Sequence, residues 1–124
     1  PIPEIDTLRG KRIVPEEAQV FDMVCRTESK GRLVIRDSAV VEWEQGQLRL
    51  TLDGGGAGRT VRVASVEEVQ TLRVLADSSS LEVFVNDGER VLSTRYYPAP
   101  YLHGVTIFGA DAELWEMGSL QITE

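Results

Sequence analysis

Twenty carboxylates, one cysteine and one histidine are the side chains here that could do chemistry. A carboxylate pair can act as general acid and base, but with twenty in 124 residues some pair is bound to be close. The number alone is not diagnostic. Cys25 would need a histidine to become a nucleophile, and nothing in the sequence brings the single one, His103, to it. Cys25 sits among Val20, Phe21, Met23 and Val24, the setting of a small buried hydrophobe. One His and one Cys at no ligand spacing make no zinc site. Asp53 beside Gly54-Gly55-Gly56, and Asp87-Gly88-Glu89, are too sparse for a calcium loop and read as solvated turns. The Gly54–Gly58 run lacks the following helix and the Lys-Ser/Thr of a phosphate cradle, so it reads as a hairpin loop. No catalytic, cofactor or metal residue is therefore assigned, and no cofactor is expected.

The elements that would position any site read as strands. Period-two segments run over residues 19–26, 31–37, 40–44, 47–52, 60–64, 71–77, 80–86, 90–96, 104–108 and 113–117, with 120–122 closing. Turn signals separate them at about ten-residue spacing, among them Ser29-Lys30-Gly31, Asp37-Ser38, Asp87-Gly88 and Gly109-Ala110-Asp111. Leu48, Leu50 and Leu52 face one way and Gln47, Arg49 and Thr51 the other. This pattern predicts an all-β, antiparallel two-sheet sandwich of about ten short strands. Residues 1–15, with Pro1, Pro3, Pro15 and the basic Arg9-Gly10-Lys11-Arg12, read as an irregular linker. Residues 16–124 then form one domain, long enough to bury a core without staples.

Charge and composition exclude whole classes. A net charge of −7 with no basic run argues against nucleic acid. No apolar stretch is long enough to cross a membrane as a helix. A single cysteine forms no internal disulfide, which favours a cytoplasmic setting.

The most specific stretch is 72–98, LRVLADSSSLEVFVNDGERVLSTRYYP, three strands joined by an Asp-Ser-Ser-Ser turn and an Asn-Asp-Gly-Glu hairpin. Asp77, Ser79, Ser80, Leu81, Glu82, Val83, Phe84, Val85, Asn86, Gly88 and Glu89 occupy, in register, a pattern that resembles the C-terminal β-sandwich of glycoside hydrolase family 32. The continuation through Arg95 to the aromatic pair before Pro98 is similar too, as are Leu114–Leu120 and, weakly, Pro3, Glu4, Leu8 and Arg9. That family holds the β-fructofuranosidases: invertases, sucrose-6-phosphate hydrolases and levanases. The resemblance implies a lectin-like jelly roll that accompanies a catalytic β-propeller. It also implies that the chemistry lies in that propeller. The family's Asp-Pro and Glu-Cys catalytic segments do not occur here, and Arg36-Asp37-Ser38 lacks the proline.

The chain is thus expected to be a non-catalytic module of a bacterial enzyme, with sucrose-6-phosphate hydrolase the preferred parent. Its expected partners are the propeller of the same polypeptide and a second copy in a homodimer. The alternative is a stand-alone module binding sucrose or fructan. Glu82, flanked by apolar residues, is expected to pair with Arg73 and Arg95 on the adjacent strands. Trp43, Tyr96, Tyr97 and Tyr101 are the candidate interface or sugar contacts, although for Trp43 and Trp115, both mid-strand, core packing is the first reading and an outward role the second.

Overall fold

A computed structural model of the chain describes residues 10–53, 59–96, 98–99 and 101–117. Tyr97, the glycine run 54–58, the terminal residues 1–9 and the expected closing strand at 120–122 lie outside the described residues. Within them are nine strands: β1 Arg12–Ile13, β2 Phe21–Ile35, β3 Ala39–Glu44, β4 Gly46–Asp53, β5 Arg59–Val66, β6 Thr71–Ala76, β7 Ser80–Val85, β8 Arg90–Arg95 and β9 Val105–Glu116. Two short 3-10 turns, Pro15–Glu17 and Asn86–Gly88, are the nearest approach to helix. Every pairing is antiparallel, as the alternation requires.

The expected two sheets are present, and they share a spine. The first part of β2 pairs with β6 and its last part with β3, while β9 runs beside it almost throughout. From this ribbon one sheet continues through β3, β4 and β5, and the other through β6, β7 and β8. The two fold over one another and enclose the core. Its members come from alternate positions: Phe21, Met23, Leu33 and Ile35 on β2, Leu48, Leu50 and Leu52 on β4, and Leu81, Val83 and Val85 on β7.

Two strand boundaries differ from expectation. Ser29-Lys30-Gly31 and Gly109-Ala110-Asp111 are not turns; both lie inside long strands, where β2 and β9 bend together and their register shifts between Thr27 and Arg32. Glycine is required at both positions. A Cβ on Gly31 would overlap the Trp43 ring and stand 2.6 Å from the Phe108 carbonyl oxygen. Gly109 has φ +77°, and a Cβ there would overlap the Lys30 carbonyl oxygen. A bulge with glycines opposite one another lets the ribbon turn from one sheet into the other without breaking its ladder.

Residues 10–13, expected to be irregular, run along the edge of β9. Gly10 N donates to the Glu116 carbonyl at 2.9 Å and Glu116 N to the Lys11 carbonyl at 2.8 Å. Arg12 and Ile13 stand opposite Trp115 and Leu114.

Candidate functional site

The hairpin singled out by sequence is built as expected, with its apolar parity facing the core. Its polar members turn to the fold. Asn86 sits at φ +51°, a left-handed conformation that asparagine tolerates better than most side chains. Its Oδ1 accepts from Gln70 N at 2.7 Å and Thr71 N at 3.1 Å, and its Nδ2 donates to the Glu68 carbonyl at 2.7 Å and Glu89 Oε1 at 3.0 Å. The amide therefore ties the hairpin tip to the segment entering β6, and its full donor and acceptor inventory is used. Asp77 Oδ1 accepts from Ser78 N at 2.6 Å, closing its own turn. Ser79 accepts Tyr96 N on its carbonyl at 3.2 Å. Ser80 faces Arg95 across the β7–β8 pair, and Phe84 is half-buried between Arg73 and Val91. Gly88, at φ +101°, completes the turn.

The expected pairing of Glu82 with Arg73 and Arg95 is corrected. Arg73 forks onto Asp22 of β2, its Nε 3.0 Å from Oδ1 and its Nη2 2.7 Å from Oδ2, a buried bidentate pair. Glu82 stands opposite Ser93, whose hydroxyl donates to it at 3.4 Å, while Arg95 is two pairs further along, opposite Ser80. β2 lies on the far side of β6, so a carboxylate fifty-one residues away reaches Arg73.

Two of the four aromatic candidates lie in the core, the first reading for Trp43 and a correction for Tyr96. Trp43 is buried, and its Nε1–H donates to the Glu28 carbonyl at 2.9 Å. Tyr96 is buried too; its hydroxyl lies 2.7 Å from Ser38 Oγ and its ring lies under the Arg36 guanidinium, 5.2 Å from centroid. Trp43 fits the apolar parity of β3, and Tyr96, just past the end of β8, continues the more buried parity of Leu92 and Thr94, so neither ring is an outward platform. Tyr101 is 78% exposed. The buried Arg36 donates through Nη1 to the carbonyls of Gln19 (2.8 Å) and Asp77 (2.9 Å), joining three segments at one end of the sandwich. The Arg36-Asp37-Ser38 triplet is thus a left-handed strand-to-strand turn.

Reactive groups are not brought together. Burial pushes the Cys25 thiol up to about 12, so it stays protonated at neutral pH and lacks the thiolate a nucleophile needs. His103 lies on an exposed loop with its Nδ1 3.1 Å from the Tyr101 carbonyl. Among the described residues no three His, Cys, Asp or Glu side chains converge as a metal site would require.

What the sequence reading missed is on the outward face of the β2–β5 sheet. Register aligns Phe108, Arg32, Glu42, Arg49 and Val63 in one row across five strands. Two adjoining hollows of about 470 and 440 Å³ lie along it, sharing Arg32, Glu42 and Arg49. Glu42 and Arg49 are charged side chains between core residues and Arg32 sits between Gly31 and the core residue Leu33, a signal visible in sequence; only the register puts them side by side.

The comparisons with known proteins bear on the whole domain. A family model described as "Glycosyl hydrolases family 32 C terminal" matches residues 21–124. A sucrose-6-phosphate hydrolase of Bacillus subtilis (strain 168) is 33% identical over 95 residues, covering 74% of this chain and 20% of that protein. The Escherichia coli sucrose-6-phosphate hydrolase is 42% identical over 59 residues, covering 41% of this chain and 12% of that one. Among solved structures, the sucrose-6-phosphate hydrolase from Lactobacillus gasseri superposes with a TM-score of 0.75 at 20% identity, over 97% of this chain and 30% of that one. An exo-inulinase from Aspergillus awamori superposes with 0.70 at 17% identity, over 90% and 28%. The chain spans less than a third of the length of each of these proteins. With the family model covering most of the sequence and the sandwich shared with two solved relatives, the chain belongs to glycosyl hydrolase family 32 and corresponds to its C-terminal domain.

Proposed function

We propose that this chain is non-catalytic by itself and serves as the accessory sandwich of a larger bacterial, cytoplasmic sucrose-6-phosphate hydrolase, stabilising the propeller it packs against and contributing dimer contacts. The signature residues Asp77, Ser79, Ser80, Glu82, Phe84, Asn86, Gly88 and Arg95 are then a folding signature. The observation that carries this reading is Asn86, the most chemically conspicuous of them, whose four hydrogen bonds all go to its own chain. Cys25, free and buried, suits a reducing compartment equally. A retaining glycosidase needs two carboxylates about 5 Å apart flanking an open cleft, and none of the signature carboxylates is so placed: Asp77 closes a turn and Glu82 faces a serine.

A graft tests it. The Bacillus subtilis relative would be stripped of its own C-terminal segment, then fused to this chain. The fusion is expected to recover soluble, sucrose-6-phosphate-hydrolysing enzyme with a higher unfolding temperature than the truncated protein. No recovery by this chain, when the relative's own segment restores the enzyme, would count against the accessory role.

A further inference from the structure

We propose that the outward face of the β2–β5 sheet binds a neutral oligosaccharide, with Arg32, Glu42 and Arg49 holding its hydroxyls and Phe108 stacking on a ring. This goes beyond the accessory-module reading and does not depend on it.

Parity places the row on the open side of the sheet. Leu33, Val41, Trp43, Leu48 and Leu50 are buried on the inner face, so their neighbours Arg32, Glu42 and Arg49 point outward. Ile107 stands opposite Leu33 and Phe108 opposite Arg32, which puts Phe108 on the same outer face. Four strand spacings separate Phe108 from Val63, about 19 Å in all. That length suits a short oligosaccharide lying across the strands.

The chemistry of the row favours hydroxyls. A sugar hydroxyl both donates and accepts. The row offers a guanidinium, a carboxylate and a second guanidinium in succession, so donors and acceptors alternate at strand spacing. Arg32 and Glu42 are only loosely engaged with each other, Nε to Oε2 at 3.8 Å, with side chains 54% and 45% exposed. Their remaining hydrogen-bonding capacity faces the groove. Phe108 is 61% exposed beside Arg32, an apolar ring of the kind on which the C–H face of a sugar packs. Gly31 adds no side chain to the floor, since a Cβ there would overlap Trp43.

Charge along the row is close to balanced, which favours a neutral ligand over a strongly anionic one. In one hollow Asp37 and Glu42 offset Arg32 and Arg49; in the other Glu42 and Glu44 offset two of the three cations Lys30, Arg32 and Arg49. The hollows, about 470 and 440 Å³, fall in the range of small-molecule sites.

The test is a titration of the isotope-labelled 124-residue chain with 1-kestose, followed by amide shifts, with sucrose 6-phosphate in parallel. The expected result is a saturable response centred on Arg32, Glu42, Arg49 and Phe108. F108A and E42Q should each weaken it about tenfold, the ratio that corresponds to 1.4 kcal/mol, with the rest of the spectrum unchanged. A flat titration of the folded chain overturns the proposal. So does a response centred on Tyr101, a response that neither variant weakens, or a preference for the phosphorylated sugar. A face that becomes protected from solvent in the grafted enzyme would assign it to domain docking and overturn the proposal as well. The graft and the titration fail separately: recovery of the enzyme without sugar binding removes only this inference.

Discussion

Replacing Asn86 with alanine removes four hydrogen bonds and leaves a β-carbon residue at φ +51°. The site is half-buried, so each bond is taken at the low end of the usual net contribution, about 0.5 kcal/mol. That gives about 2 kcal/mol. Alanine in the left-handed region, where asparagine is tolerated, adds about 1 kcal/mol. The sum is about 3 kcal/mol, or a fall in melting temperature of about 12 °C for a domain of this size. Two controls separate the contributions. Asn86→Gly loses the bonds but accepts the backbone, and should cost about 2 kcal/mol. Asn86→Asp keeps the acceptors for Gln70 N and Thr71 N, yet turns a carboxylate toward Glu89 and the Glu68 carbonyl; it should fall between wild type and alanine. Urea unfolding followed by tryptophan fluorescence gives the values. An alanine variant within about 0.5 kcal/mol of wild type, the usual range for an unimportant surface position, would refute the reasoning and reopen Asn86 as a ligand-binding group.

Three further outcomes are expected. At pH 8 a thiol reagent should leave native Cys25 unmodified and label it promptly in denaturant; fast labelling of the native chain would contradict its burial. The same burial predicts a pH dependence: the thiol ionises near 9.0 when unfolded and near 12 when folded, so above about pH 9 the unfolded state sheds the proton first and stability declines through that window. The fall should be absent in Cys25→Ala, and its persistence there would place the cause elsewhere. Gly109→Ala should cost more than about 3 kcal/mol, because left-handed strain is joined by overlap with the Lys30 carbonyl, whereas Gly46→Ala, at φ +87° with nothing within 4 Å, should cost about 1 kcal/mol; equal effects, read by chemical denaturation, would deny the close packing of the bend.

Much of the fold was legible because period-two alternation is a local property. Leu48, Leu50 and Leu52 could be oriented from their own segment, and so could the apolar parity of Leu81, Val83 and Val85. The Asn86–Gly88 turn was legible for the same reason, since its backbone needs are met by its own residues. The bends at Gly31 and Gly109 were not. In sequence a triplet such as Ser29-Lys30-Gly31 or Gly109-Ala110-Asp111 looks the same whether the chain reverses or only kinks. What keeps β2 and β9 going is each other, a pairing of segments some eighty residues apart. Arg73 failed similarly: the nearest carboxylate on paper was Glu82, and the one that reaches it belongs to a strand whose place beside β6 is a matter of topology. Trp43 and Tyr96 show the ambiguity of amphipathic rings, which can close a core through one polar atom as readily as face solvent. The groove row was present as separate charges on three strands and became a surface only through register.

The most direct test of the central claim is a hydrolysis assay on the purified chain alone with sucrose, sucrose 6-phosphate and inulin, following release of fructose. The account predicts no turnover above buffer with any of the three. Turnover that co-purifies with the folded chain and falls in a carboxylate variant such as Glu42→Gln or Glu82→Gln would contradict it, and would place a glycosidase site in the sandwich itself.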